Sequence, residues 1–218
     1  SFEAVKYLIF SVGRRPIVGF LGPNGAGKTS TIRMILGLAA PTTGRIEVLG
    51  ADDGRKVRDR IGFLPEERGL YRKMNPVDAV AYMAALKGLP MAEGRRRARA
   101  LLEEQGLGEA LKRPMKALSK GMAQKVQLVS AIAHRPELVI LDEPFSGLDP
   151  VNQQGLERMI RDLADQGATV LFSTHVMQHA ERLCQKVVLM ARGAKVFEGP
   201  VAEARAAAPR FLVLEGGL

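Results

Sequence analysis

Gly22-Pro23-Asn24-Gly25-Ala26-Gly27-Lys28-Thr29-Ser30 is the stretch on which the reading of this chain turns. It fits G-x-x-x-x-G-K-[ST], with Gly22, Gly27, Lys28 and Thr29 at the fixed positions. Glycines without a Cβ let a tight loop turn its backbone N–H groups inward, so residues Gly22, Asn24, Gly25, Ala26 and Gly27 make a concave anion nest. Lys28 adds a cation for β- and γ-phosphates, the Thr29 hydroxyl is a ligand for Mg²⁺, and Ser30 completes the phosphate-facing set. A helix starting near Gly27 points its positive dipole end at the same anion. The flanks fit the motif. Pro16 to Leu21 is a short apolar run of strand type, and Thr31 to Leu38 has the spacing of an amphipathic helix.

Composition bounds the rest. The 218 residues suffice for one large domain or one domain with a sizeable insertion, and 46% hydrophobic with 25% charged residues is an ordinary soluble globular balance. Apolar runs stay far below the roughly 18 residues of a membrane span, and the first residues lack the charged-then-apolar pattern of a secretory signal. One cysteine, Cys184, excludes an internal disulfide and a cysteine-rich metal cluster and fits a reducing compartment. A net charge of +9 suits nucleic acid, anionic lipid or an acidic partner. Its densest cluster, Arg95-Arg96-Arg97-Ala98-Arg99, lies in a helix-like segment from about Met91 to Gln105. There Ala98, Leu101 and Leu102 mark the apolar side, so the arginines are expected mostly on an outer, solvated face.

Taken in order, Ser1 to Arg15 reads as a strand pair leading into the phosphate loop, and Arg45 to Leu49 as a strand after the turn at Pro41 to Gly44. Ile61 to Leu64 is a further short strand, ending at Pro65. From about Tyr71 to His134 the apolar spacing is helical: Val77, Val80, Ala81, Ala84 and Val126, Val129, Ser130, Ala133 each follow i, i+3, i+4, i+7. Strand character returns at Leu138 to Leu141, four apolar residues suited to a buried parallel strand. A helix from Pro150 to Ala164, a strand from Ala168 to Ser173, a helix from Val176 to Cys184 and a hairpin over residues 186–198 complete the pattern. The expected fold is α/β, a mainly parallel sheet core over residues 1–65 and 136–218 with an inserted helical subdomain over 66–135.

Asp142 and Glu143 close the apolar strand, where α/β sheets bind ligands. Asp142 is placed as a partner of Mg²⁺ across from Thr29, and Glu143 to accept a proton from an attacking water. In Leu118-Ser119-Lys120-Gly121-Met122, Ser119 is a good N-cap and Gly121 permits close backbone approach; alone this marks only a helix start. Together with GPNGAGKTS, LVILDEP, Ser146-Gly147-Leu148-Asp149 and His175 after a strand, in this order over nearly the whole chain, it resembles the ATP-binding cassette (ABC) ATPases, whose core is that of the P-loop NTPases. The resemblance implies ATP and Mg²⁺ as ligands and two cassettes packed head to tail, as a homodimer or heterodimer. Each ATP then lies between one phosphate loop and the opposite signature. Ser119 and Gly121 would contact the γ-phosphate held by the partner's Lys28, His175 would hold the γ-phosphate in cis, and Asp149 would line the seam.

Two departures from the family pattern stand out. Glu66 occupies the place of the usual Gln, a hard oxygen ligand for Mg²⁺, and the signature carries Lys120 and Met122 where Gly and Gln are commonest. Both are similar to variants in the sodium-export type of the ABC-2 exporters. An aromatic residue upstream of the first core strand, on which family members stack adenine, is missing: Tyr7 and Phe10 do not fill that role. The chain reads as trimmed there and again near Phe211 to Leu214, where a strand starts. The resemblance implies an ATPase subunit on the inner face of the cell membrane, in the cytoplasm. It would serve transmembrane permease subunits, docked at the groove near Glu66 to Val77 with Leu70, Tyr71 and Met74 exposed, and bind no nucleic acid. A DNA-maintenance ATPase is disfavoured because only about 50 residues, without sustained heptads, separate Glu66 from Ser119. A nucleotide-sensing module without turnover is disfavoured by the presence of Glu143 and His175.

Overall fold

Apolar runs with no polar alternation make strands that must be covered on both faces, and this chain has three. A computed structural model describes residues 4–13, 16–67 and 71–207. In it β1 (Ile17–Leu21), β3 (Leu138–Leu141) and β4 (Thr169–Thr174) are buried at every position. With β2 (Ile61–Leu64), β5 (Lys186–Ala191) and β6 (Ala194–Pro200) they form one sheet in the order β2-β3-β4-β1-β5-β6. All neighbours are parallel except the β5–β6 hairpin. Two-residue alternation divides each strand between two cores. Val18, Phe20, Ile140 and Leu171 face Ile32 and Ile35 of α1 (Lys28–Ile35). Leu21, Val139, Leu141 and Phe172 share the other core with Leu156 and Ile160 of α5 (Pro150–Asp165) and Leu183 of α6 (Met177–Leu183). Each such side chain contributes about 1.5–3 kcal/mol by leaving water.

Between β2 and β3 the chain is helical: α2 (Pro76–Ala85), α3 (Met91–Glu104) and α4 (Lys120–Ile132), with 3-10 turns at Gly108–Ala110 and Met115–Ala117. The positions picked out by helical spacing are the buried ones, Val77, Val80, Ala81 and Ala84 in α2 and Val126, Val129 and Ser130 in α4. Asn75 caps α2 by accepting from Asp78 N at 2.9 Å, and Ser119 caps α4 by accepting from Met122 N at 3.2 Å. After β6 the chain ends its described part in α7 (Val201–Ala207).

Two expectations change. No strand forms over residues 45–49, where Val48 and Ala51 exchange backbone hydrogen bonds in a tight turn with Leu49 at φ 50° and Gly50 at φ 83°. Nor do the described residues 4–13 form a strand pair. Leu8, Phe10 and Val12 still pack on the α1-side core. Side chains replace the missing ladder: Lys186 Nζ donates to the Ser11 carbonyl at 2.9 Å, Lys195 Nζ to that of Ile9, and Ser11 N to Glu198 Oε1 at 3.4 Å. The arginine cluster of α3 is mostly outward as expected, with Arg95, Arg96 and Arg99 exposed. Arg97 is half-buried, donating to Glu93 at 2.7 Å and to the Ala133 carbonyl at 3.3 Å, while Arg96 pairs with Glu93 and Arg95 with Asp78. Burial pushes the Cys184 thiol up to about 12. The expected strand near Phe211 lies outside the described residues.

Where α4 meets β2, His134 Nε2 lies 3.2 Å from the Ile61 carbonyl. Burial, with the Lys87 ammonium nearby, lowers its pKa to about 4. The unfolded chain, with an imidazole near pKa 6.5, therefore takes up this proton first. Its contribution is fully present above about pH 6.5 and is lost as pH falls toward about 4, amounting to about 1–2 kcal/mol once partial exposure is allowed for. Urea unfolding at pH 7 and pH 5 should show this loss, and His134→Gln should reduce the difference between the two.

Candidate nucleotide site

The sheet order decides where the polar residues meet. Leu64 pairs with Leu141, Leu141 with Phe172, and Leu21 with Thr174, so the carboxyl ends of β2, β3, β4 and β1 stand side by side. From these ends leave Glu66, then Asp142 and Glu143, then Ser173 to His175, then the loop Gly22 to Ser30. In that loop Asn24 and Gly25 are exposed at the tip, and Ala26 is buried. Gly27 at φ 99° precedes α1, a conformation that excludes a side chain with ease only for glycine. Its carbonyl accepts from Thr31 N and Thr31 Oγ1, both at 2.9 Å. Ser30 lies half-buried in the first turn of α1.

Lys28 is 6% exposed; its ammonium donates to the Gly22 carbonyl at 2.6 Å and lies 3.4 Å from Glu143 Oε1. The second Glu143 oxygen, Oε2, is 3.0 Å from His175 Nδ1. Glu143 has φ 46°, rare for a residue with a side chain and a form of strain that gathers at functional sites. Its backbone N donates to Ser173 Oγ at 2.8 Å. Asp142 is buried, accepting from Ser173 Oγ at 2.5 Å and from Thr29 Oγ1 at 3.4 Å. Lysine, carboxylate and imidazole thus converge on one mouth, beside a pair of hard oxygens. Among the described residues no three His, Cys, Asp or Glu side chains group as a metal cluster. The Thr29 hydroxyl and the Asp142 carboxylate are hard oxygens of the kind Mg²⁺ takes, one or two from the protein with phosphate and water completing its shell.

Glu66 faces Glu143 across a cleft of about 340 Å³ that Glu67, Lys120, Gln124 and Ser146 also line. Ser119, Gly121 and Asp149 are elsewhere: no hydrogen bond among the described residues joins them to the loop Gly22–Ser30. Asp149 caps α5, with Oδ1 accepting from Asn152 N at 3.0 Å and Oδ2 from Asn152 Nδ2 at 2.6 Å, bonds that lower its pKa. Phe10 packs edge-on against Phe20 at 4.8 Å and is not free to meet a base, and Tyr7 is fully exposed. Tyr71 is exposed and Met74 half-buried; Leu70 lies outside the described residues.

The ABC transporter family model matches residues 5–146. This chain belongs to that family. The ATP-binding subunit is 42% identical over 203 residues to an uncharacterized ABC transporter ATP-binding protein, YhaQ, of Bacillus subtilis, covering 93% of the chain and 68% of that protein. It is 34% identical over 198 residues to the linearmycin resistance ATP-binding protein LnrL of Bacillus subtilis, covering 89% of the chain and 64% of LnrL. To the Nod factor export ATP-binding protein I of Ralstonia nicotianae it is 35% identical, covering 89% and 62%. A solved ATP-binding subunit of an ABC transporter superposes with TM-score 0.83 at 35% identity, covering 93% of this chain and 86% of that one. CbiO1 from Clostridium perfringens, part of the ABC transporter complex cbiONQ, superposes with TM-score 0.83 at 26% identity, covering 94% and 84%. The family places ATP hydrolysis in the service of transport, and its ATP-binding subunits work with transmembrane components.

Sequence reading missed Ser173 and Gln124. Ser173 is fully buried, between Asp142–Glu143 and the segment leading to His175, and its only signal was a hydroxyl at the end of an apolar strand. Ser173→Ala leaves the Glu143 N–H and one Asp142 oxygen without this partner. The expected cost is about 1–3 kcal/mol of stability and a fall in ATPase turnover of about tenfold, read by thermal unfolding and phosphate release.

Proposed function

We propose that this chain binds ATP with Mg²⁺ at Gly22 to Ser30, hydrolyses it, and so powers export through separate transmembrane permease subunits. The observation that carries this is the convergence of Lys28, Glu143 and His175, at 3.4 Å and 3.0 Å, on the mouth of the phosphate loop. The loop N–H groups and Lys28 neutralise the phosphate oxygens. Thr29, Asp142 and Glu66 would hold Mg²⁺, which on binding offsets phosphate charge. Glu143, anchored by His175, takes a proton from water as its oxygen bonds to the γ-phosphorus and the bond to the ADP oxygen breaks. His175 is half exposed, so its free edge is available to the γ-phosphate.

The remaining roles rest on the family pattern. Ser119 and Gly121 complete the ATP site of a second cassette, identical or not, and Asp149 lines the seam. Residues 66–135 act as a helical subdomain carrying that signature, on a core of 1–65 and 136–218. In this reading exposed Tyr71 and the cleft at Glu66 and Glu67 form the surface for a permease on the cytoplasmic face of the cell membrane. Among the described residues no helix is long and apolar enough to cross a membrane, so the pathway belongs to other segments or chains. Export is favoured by the names of the LnrL and Nod factor relatives. Nucleic acid is disfavoured because Asp78 and Glu93 already engage Arg95, Arg96 and Arg97.

Lys28→Ala should abolish measurable ATP binding in equilibrium titration; unchanged affinity would remove the phosphate-loop reading. Glu143→Gln should keep ATP affinity and lose at least about 100-fold in turnover, trapping a dimer seen by size exclusion. Turnover within about twofold of wild type would overturn Glu143 as the base. Glu66→Gln should leave turnover within about threefold, because the amide oxygen still ligates a hard cation.

A further inference from the structure

The start of α4 and the loop from Pro144 to Asn152 touch in three places within one chain. Gln124 Nε2, buried, donates to the Pro144 carbonyl at 2.9 Å. Gly121 is buried beneath the Asn152 side chain: a Cβ on Gly121 would lie 2.5 Å from both Asn152 Nδ2 and Oδ1. In the reverse direction, the Lys120 ammonium fills the space that a Cβ on Gly147 would occupy. Each glycine therefore receives a side chain from the other segment. Asn152 is held in this position from its own side by Asp149, through the backbone and side-chain bonds already described.

We infer that Asn152 is a positioning residue that locks the signature start at Ser119 to Gly121 onto the Asp149 loop, so that the two move as one body within a chain. Gly121 lacks a side chain here because Asn152 occupies that space. The lock ties a helix inserted between β2 and β3 to the segment that follows Glu143. A shift of α4 is transmitted through Gln124 to Pro144, one residue from the Glu143 carboxylate, and through Asn152 to Asp149. In a two-cassette arrangement the signature faces one ATP and Glu143 the other, so the lock links the two sites mechanically. The functional consequence, though not the lock itself, rests on the ATPase reading above.

The test uses the full chain with Gly121→Ala, Asn152→Ser and the double variant. Turnover and KM for ATP are measured, together with amide hydrogen exchange without nucleotide. Gly121→Ala should lower kcat about tenfold with KM within about twofold and speed exchange over residues 145–149, because the new methyl displaces the Asn152 amide from Asp149. Asn152→Ser alone should cost about two- to threefold, and the double variant should return to that level, since the cost of the methyl depends on Asn152. A double variant as slow as or slower than Gly121→Ala overturns the lock and leaves Gly121 as a phosphate-facing glycine only. Asn152→Ala guards against poor folding of Gly121→Ala: it should speed exchange at residues 122–124 as well as 145–149, and unchanged protection at 122–124 also overturns it. If wild type shows this exchange coupling but no ATP turnover, the lock stands and the ATPase reading falls.

Discussion

A carboxylate that is 3% exposed at the end of an all-apolar strand must find its hydrogen bonds inside the protein, and the site is arranged around that demand. Asp142 takes them from Ser173 on the neighbouring strand and from Thr29 at the start of α1. Those two partners come from β4 and from the segment after β1, so the parallel order β3-β4-β1 is itself a condition for burying Asp142. The same serine oxygen accepts from the Glu143 backbone, holding a left-handed residue in place. One hydroxyl therefore supports both carboxylates, Asp142 through its side chain and Glu143 through its main chain.

Charge is handled differently on the two sides of the molecule. At the mouth of the sheet Lys28 and Glu143 are nearly buried and close, so their interaction is strong and geometry-sensitive. On α3 the Arg95–Asp78 and Arg96–Glu93 pairs reach solvent and each contributes little to stability, about 0–1 kcal/mol, while Arg97–Glu93 is half-buried. Their effect is to cancel a positive patch rather than to hold the fold. The net charge of +9 is therefore a poor guide to any single surface of this chain.

Much of this was legible in the residues. Strand burial, helix spacing and the phosphate-loop geometry follow from local pattern, and the meeting of Thr29 with Asp142 follows from reading Gly22–Ser30 and Asp142–Glu143 as strand-end motifs of one sheet. Ser173 was not legible because its partners lie 30 and 31 residues away, and nothing local marks a serine as bonded. Arg97 is the exception among the outward arginines, because its long stem folds back to the Ala133 carbonyl at the end of α4. The expected strand at 45–49 gives way to a local turn, in which Val48 and Ala51 take each other's backbone hydrogen bonds. Gly121 was read as a glycine for a ligand's approach, and only the tertiary packing places Asn152 against it.

Cys184 is the single cysteine of the chain, packed so that its sulfur would lie 2.9 Å from a Cβ on Gly19. With its thiol pushed up to about 12 it presents almost no thiolate near neutral pH. Maleimide or nitroxide reagents should pass it by. A cysteine introduced on α4 or on the Asp149 loop can then carry a fluorophore or spin label in an otherwise native background, without first rebuilding the core.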